Sequence, residues 1–307
     1  MIGRNCTRIN MSCRKCSCGV GLFIRTCHTL ICLAVPSTLL FKKTALQHAL
    51  VEFADPLYGI SYVCLLVFSL VMYFTACLVD PGYVPVMAHV HKKSALKHPP
   101  KDDSDEDVDP ETEDHTPMLR TATGEIDTEK LYRYCDYCEI EQPMRSKHCE
   151  DCNKCVRKYD HHCPWLETCV GERNHRFFWL FLLSTALLIL WTFVITWRGF
   201  DQEDGWEGWF HSNVLLFIDI MVLILGGFTV LGLLAFHSYL MVKNMTTWEC
   251  AAREKITYLK YLEDDYNPFD QGCFHNIYCF LCRAKSRRWE VLYEKKTEMR
   301  KKNSSIV

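Results

Sequence analysis

The sequence predicts an all-α integral membrane protein with four transmembrane helices and a cysteine-rich domain between spans 2 and 3. Three observations carry that prediction. Long apolar runs alternate with very polar ones although mean hydropathy is near zero. Lysine and arginine are unevenly shared among the connections. Seven of the 19 cysteines crowd into residues 135–169.

The four apolar segments are residues 21–41, 57–79, 177–197 and 214–240. Segments 57–79 and 177–197 carry no charge and are long enough to cross a hydrocarbon core of about 30 Å. Tryptophans, Trp179 and Trp197, flank the third, as interfacial rings prefer. The fourth holds one acid, Asp219. An acid within a span is a functional suspect by default, with a polar contact between helices as the alternative. The first holds Arg25, His28 and Pro36. Arg25 lies near one end, where a long stem reaches the interface. A signal peptide would need a small-residue cleavage site, which is missing here.

Orientation follows from the basic residues. Arg4, Arg8, Arg14 and Lys15 precede the first span, and the chain after Leu240 is heavily basic. The connection between the last two spans has Arg198 against Asp201, Glu203, Asp204 and Glu207. Basic loops stay inside, which puts both termini and the long 80–176 loop in the cytosol. Reducing conditions there disfavour disulfides and leave metal binding or catalysis for the central cysteines.

Within the loop, residues 101–114 hold nine acids and one base without an aromatic ring. Such a segment cannot bury enough apolar surface to fold and reads as a solvated linker. Inspection finds no internal repeat. The expected organisation is an N-terminus 1–20, the first two spans, a linker 80–130, a cysteine-rich domain 131–176, the last two spans, and a C-terminal region 241–307.

The cysteine-rich block reads YCDYCEIEQPMRSKHCEDCNKCVRKYDHHCPWLETCVGERNH. Cys135/Cys138, Cys149/Cys152 and Cys152/Cys155 are each spaced to pinch one tetrahedral zinc ion. A block this short has little core, so metal would supply its folding energy. The candidates number eleven: the seven cysteines with His148, His161, His162 and His175. Two closed sites need eight ligands, and spacing alone does not say which three groups are spare. Residues 131–176 hold eight basic and eight acidic residues, so no footprint for nucleic acid is present.

The block resembles the DHHC family of protein S-acyltransferases, here Asp160-His161-His162-Cys163. The resemblance extends to Pro143, Arg145, His148 and Cys149, to Pro164 and Trp165, and to Cys169, Val170, Gly171 and Asn174. Outside it, Asp80-Pro81-Gly82 follows the second span and Thr246-Thr247-Trp248-Glu249 the fourth. Residues 267–276 look like the family's C-terminal contact motif. Thr168 stands where the family usually has asparagine, and Gln142 where a basic residue is common.

The resemblance implies that Cys135, Cys138, His148 and Cys155 hold one structural zinc ion and Cys149, Cys152, His162 and Cys169 a second. Cys163 is then the free thiol and nucleophile, His161 its general base, and Asp160 the acid that orients His161. His175 reads as an ordinary surface histidine. The implied reaction takes a long-chain acyl group from acyl-CoA, such as palmitoyl-CoA, onto Cys163 and passes it to membrane-proximal cysteines of protein substrates. The same resemblance places Trp165 near the acyl chain, Thr247 against Asp160, and Asn276 on backbone groups. It also implies a multi-pass protein of the Golgi or endoplasmic reticulum.

Cys13, Cys16 and Cys18 precede the first span, and Cys273, Cys279 and Cys282 follow the last; such juxtamembrane thiols are accessible to S-acylation. The tail 283–302, with nine bases and three acids, suits an anionic bilayer surface. Residues 305–307 resemble a carboxyl-terminal ligand for PDZ domains. The rivals to an acyltransferase are a silent zinc scaffold, which needs no spare thiol, and a zinc-gated transporter, supported only by Asp219.

Overall fold

The computed structural model describes residues 12–85, 133–260, 262–283 and 286–304, with no side chains for 12–18, 301, 303 and 304. The acidic segment, the terminal 305–307 motif, and the side chains of Cys13, Cys16 and Cys18 lie outside these.

Four helices are long and apolar enough to span a membrane. They are α1 (Ser12–Phe41), α3 (Pro56–Leu78), α4 (His175–Arg198) and α5 (Trp206–Lys243), with a short α2 (Ala45–Leu50) before α3. Thr44 caps α2, and Asp55 caps α3 with Pro56 in the first turn, where a missing N–H costs nothing. α5 has 38 residues, about 57 Å at 1.5 Å per residue, and so extends beyond the expected 214–240 span at both ends. The added N-terminal turns carry Trp206, which stacks on both Trp209 and Phe210. The helix stops at Asn244, which adopts a left-handed conformation with φ 51°.

Polar side chains join the spans internally. Tyr62 Oη meets Thr192 Oγ1 at 2.9 Å, and Ser69 Oγ meets Thr185 Oγ1 at 2.8 Å, both buried between α3 and α4. Thr38 of α1 donates to Asp219 of α5, so the intramembrane acid makes a contact between helices. Leu57, Leu225 and Phe228 are exposed, as suits side chains facing lipid.

Between α3 and α4 the chain forms three antiparallel hairpins: β1 (Arg133–Cys135) with β2 (Ile140–Gln142), β3 (Lys147–Cys149) with β4 (Lys154–Val156), and β5 (His161–Cys163) with β6 (Thr168–Val170). They are repeats, contrary to the sequence expectation. The first strand ends at Cys135, Cys149 or Cys163, 14 residues apart. Each turn has one residue at positive φ, again at that spacing: Glu139, Asn153 and Glu167. The period is hidden in the sequence because only the metal-type residues and the turn geometry recur.

After α5 come α6 (Thr247–Ala251), α7 (Cys273–Cys282) and α8 (Trp289–Ser304). A capping box starts α6, with Thr246 Oγ1 accepting from Glu249 N and Glu249 accepting from Thr246 N. Such reciprocal bonds satisfy two orphan amides at once. Met144, Phe269, Trp289 and Tyr293 pack together, joining the region after α5 to the hairpins.

The segment after α3 docks on the hairpins from the other side. Asp80 Oδ1 accepts from Gly82 N and Tyr83 N, Val84 N donates to Cys155 O, and Arg157 N to Gly82 O. Gly171 packs so closely here that a Cβ would lie 2.6 Å from both Pro81 O and Val156 Cγ1. Asn174, fully buried, ties this corner to α3: its Nδ2 reaches Ala76 O and Cys169 O, and its Oδ1 accepts from Gly171 N.

Candidate active site and metal centres

The hairpin repeat organises the metal-type residues. In β3–β4 the cross-strand pair is His148 with Cys155; in β5–β6 it is His162 with Cys169. Each pair meets the two cysteines of the preceding hairpin's turn. The result is two groups, Cys135/Cys138/His148/Cys155 and Cys149/Cys152/His162/Cys169, each with its donor atoms within 4.8 Å of one another. His148 and Cys149, though adjacent, therefore serve different groups because strand neighbours point to opposite faces.

The donor sets fit a tetrahedral ion. In the second group His162 Nδ1 lies 3.6, 3.5 and 3.7 Å from the sulfurs of Cys149, Cys152 and Cys169. Tetrahedral zinc with its usual Zn–S and Zn–N bonds requires donor separations of about 3.6–3.8 Å. In the first group Cys138 and Cys155 lie 3.3 and 3.9 Å from His148 Nδ1. Three thiolates with one imidazole is a structural zinc set, so each cluster could hold such an ion.

The third hairpin breaks the pattern. Its strand ends in Cys163, as the others end in Cys135 and Cys149, but Leu166 stands where they have Cys138 and Cys152. Cys163 therefore belongs to neither donor group. It is buried in an apolar cluster with Tyr73, Cys77, Leu166, Phe178 and Phe181, against which Val230 and Leu234 pack from α5.

His161 precedes it by two residues on the same strand. Its Nδ1 lies 2.7 Å from Asp160 Oδ2, and the imidazole and the Cys163 thiol act on each other electrostatically. Burial lowers the His161 pKa, but Asp160 and Cys163 outweigh it and raise the net value to about 9. Burial raises the Cys163 thiol, and His161 brings it below its usual value. Asp160 likewise ends below the carboxylate range, burial being overcome by the surrounding histidines His175 and His161.

Asp160 is held from several sides. Thr247 donates twice, its backbone N to Oδ1 at 2.9 Å and its Oγ1 to Oδ2 at 2.7 Å. His175 Nδ1 lies 3.8 Å from Oδ1. His175 is not a surface residue as expected: it is 4 % exposed, and its Nε2 meets His237 Nδ1 at 3.0 Å. Its burial arises because the first turn of α4 faces Asp160 of the hairpins, a contact that local sequence does not show. His237 was missed altogether, since a single histidine in an apolar run carries no local signal. It sits on α5 within reach of Asp160 and His161.

Trp165 is 46 % exposed; its Nε1 donates to His28 Nδ1 of α1 at 3.3 Å, and its carbonyl accepts from Tyr73 Oη. Arg25 reaches the Leu166 carbonyl. Asn276 Nδ2 donates to Val242 O, and its Oδ1 accepts from Gln271 N. The Arg145 side chain, between the first two hairpins, bonds Glu249 of α6 through Nε and Nη2 and the Asn244 carbonyl through Nη2.

A four-span membrane protein with two zinc-type clusters and an isolated thiol backed by histidine and aspartate is, as a class, a membrane-embedded thiol enzyme. The profile described as DHHC palmitoyltransferase matches residues 128–254. The chain is 34 % identical over 286 residues to palmitoyltransferase ZDHHC12-A of Danio rerio, covering 93 % of this chain and 97 % of that one. It is 33 % identical over 278 residues to palmitoyltransferase ZDHHC12 of Homo sapiens, covering 91 % and 94 %. With protein S-acyltransferase 10 of Arabidopsis thaliana it shares 30 % over 249 residues, 74 % and 72 % of the two chains. The chain belongs to the DHHC palmitoyltransferase family, and its activity is protein-cysteine S-palmitoylation.

Proposed function

We propose that Cys163 is the nucleophile, His161 its general base and Asp160 the group that fixes the tautomer and orientation of His161. The observation that carries this is the break in the hairpin repeat: Cys163 holds a metal-knuckle position without a knuckle partner and stands two residues from His161 on the same strand. An acid–imidazole–thiol arrangement supplies a nucleophile, a proton acceptor and an orienting charge.

His161 takes the thiol proton, and Cys163 Sγ attacks the thioester carbonyl of an acyl-CoA. Coenzyme A leaves as a thiol, and a protein cysteine then takes the chain from Cys163. One thioester replaces another at each step, so no further energy source is needed. The apolar groups around Cys163, from α3, α4 and α5, give a long acyl chain a non-aqueous setting. Trp165 lies at the rim of this region. Thr247 supports Asp160, and Asn276 pins the C-terminal segment to the end of α5.

Two zinc ions, on Cys135/Cys138/His148/Cys155 and Cys149/Cys152/His162/Cys169, would supply folding energy to a module with little apolar core. Protein substrates are those whose cysteines lie at the cytosolic membrane face. The lysine and arginine bias supports cytosolic termini; residence in the Golgi or endoplasmic reticulum rests on the family resemblance.

The two-step scheme is tested by loading the purified protein with palmitoyl-CoA, removing excess donor, and chasing with a cysteine peptide. Acyl groups should leave the enzyme as they appear on the peptide, one for one. Transfer that requires palmitoyl-CoA throughout, with no chaseable intermediate, would overturn it.

A further inference from the structure

The hairpins and the ends of α4, α5 and α7 enclose a cleft whose charges do not balance. Lys158, Arg176, Arg283 and Arg287 line it, and Glu172 is the one acid among the described residues of its wall. Both oxygens of Glu172 are already taken. Its Oε2 accepts from Arg157 Nε at 3.0 Å, and its Oε1 from Trp289 Nε1 at 3.0 Å and the Arg287 backbone N–H at 3.2 Å. Lys158 Nζ donates to Asn244 Oδ1 at 2.9 Å, an uncharged acceptor. Arg176 Nε is buried without an acceptor. Among the described residues none of the four cations has a carboxylate partner.

Crowding cations without anions costs free energy, and the cleft shows it. Burial holds the Lys158 ammonium down to about 7, and the Arg145 guanidinium adds to the effect. Burial lowers Arg287 as well, with Arg283 adding to it. An anion bound here would offset both. The position favours one carried by lipid. Arg176 lies in the first turn of α4 and Met241 in the last turn of α5, so the cleft sits where two spanning helices leave the membrane. The lysine and arginine bias makes this the cytosolic end. Phe274 and Tyr278 of α7 are exposed, and such rings suit headgroup depth. Basic pockets between spanning helices on this side take phosphorylated headgroups. Four cations exceed what one phosphodiester needs, whereas a phosphomonoester carries a charge of about −1.5 to −2 and three acceptor oxygens. Coenzyme A is the poorer occupant. The cleft residue His175 approaches Asp160 on its Oδ1 side, whereas His161, next to the thiol, meets Oδ2.

We propose that this cleft binds the headgroup of an anionic phospholipid bearing a phosphomonoester. The unpaired guanidiniums of Arg176 and Arg283 supply forked donors for its oxygens, and Lys158 and Arg287 supply further positive charge. The proposal does not depend on the roles of Cys163 and His161.

The test uses the full-length, zinc-replete protein in discs of phosphatidylcholine doped with a phosphatidylinositol monophosphate or with phosphatidylserine. Native mass spectrometry reads the lipid that stays bound on release from the disc. The phosphorylated lipid should be retained roughly tenfold over phosphatidylserine, as its extra charge predicts. Arg176→Gln combined with Arg283→Gln should remove most of that preference while zinc content and melting temperature hold, since neither side chain leaves a carboxylate unpaired. Arg288→Gln combined with Lys295→Gln removes the same charge from exposed positions outside the cleft and should change retention little. Equal losses in the two double variants, or no preference for the phosphorylated lipid in wild type, would overturn the proposal. The free inositol phosphate headgroup and coenzyme A are then titrated against bound lipid. Displacement by the free headgroup at matched concentration would overturn a lipid source. Displacement by coenzyme A that weakens in the Arg176→Gln/Arg283→Gln protein would overturn the proposal by giving the cleft to the acyl donor.

Discussion

Arg145 and Glu249 form a bidentate ion pair with almost no exposure, Nε to Oε1 at 2.6 Å and Nη2 to Oε2 at 2.5 Å. The guanidinium also lies over the rings of Phe269 and Trp289, and Tyr258 Oη donates to Glu249. The pair ties the hairpin module to α6, whose first residue, Thr247, bonds Asp160. Through it, the position of the acid next to His161 depends on a contact far from the thiol.

Removing one member of a buried pair strands the other charge and costs about 3–5 kcal/mol. Arg145→Ala and Glu249→Ala should each lower the unfolding temperature markedly. Arg145→Met combined with Glu249→Leu should be milder than either alone, because neither charge is left buried. Thermal melts in one detergent compare the four proteins; a double variant worse than both singles would refute the pairing.

Thr247→Val should keep the fold and lower the rate of Cys163 acylation. The lost bond goes to an ionised carboxylate, worth about 1.5–3 kcal/mol, or roughly ten- to a hundredfold if expressed in the rate. Thr247→Ser retains a hydroxyl and should recover much of it. Single-turnover acylation measures both.

The rate of acylation should level off at a lower pH than an ordinary thiol would give. Cys163 is held below its ordinary value and His161 is raised, to about 9, so the thiolate forms at lower pH than in a free cysteine. The rate falls only as pH drops through the depressed Cys163 value. His161→Gln removes the lowering contact and should move that limb upward, toward the ordinary thiol range of about 8.5. A wild-type rate that keeps climbing through pH 8–9 would contradict the assignment.

Cys135→Ser and His162→Ala should each lower bound zinc and protein yield together, since metal supplies the folding energy of the hairpins. Gly171→Ala should lower yield without removing a ligand, because its Cβ meets Pro81 O and Val156 Cγ1 at 2.6 Å. Metal analysis separates the two effects. Full zinc content after Cys135→Ser would refute its place in the first group.

Spans were legible because a lipid-facing helix leaves a long apolar run, and the metal-type residues because thiols and imidazoles at short spacing have few other uses. The Thr247–Asp160 contact came from motif resemblance, as residues 87 apart share no local pattern. The histidine pair at 175 and 237 was not legible, since its members meet only when α4 and α5 pack. The 14-residue hairpin period was present in the sequence but weak, because Tyr134 and Glu141 in the first hairpin and Leu166 in the third stand where the other hairpins have metal-type residues.

The most direct test of the central claim compares wild type with Cys163→Ser, reading hydroxylamine-sensitive label from palmitoyl-CoA and bound zinc on the same samples. Cys163 lies outside both donor groups, so the variant should retain wild-type zinc while its thioester at position 163 and its transfer to a cysteine peptide disappear. Undiminished peptide transfer by a zinc-replete Cys163→Ser protein would contradict the account.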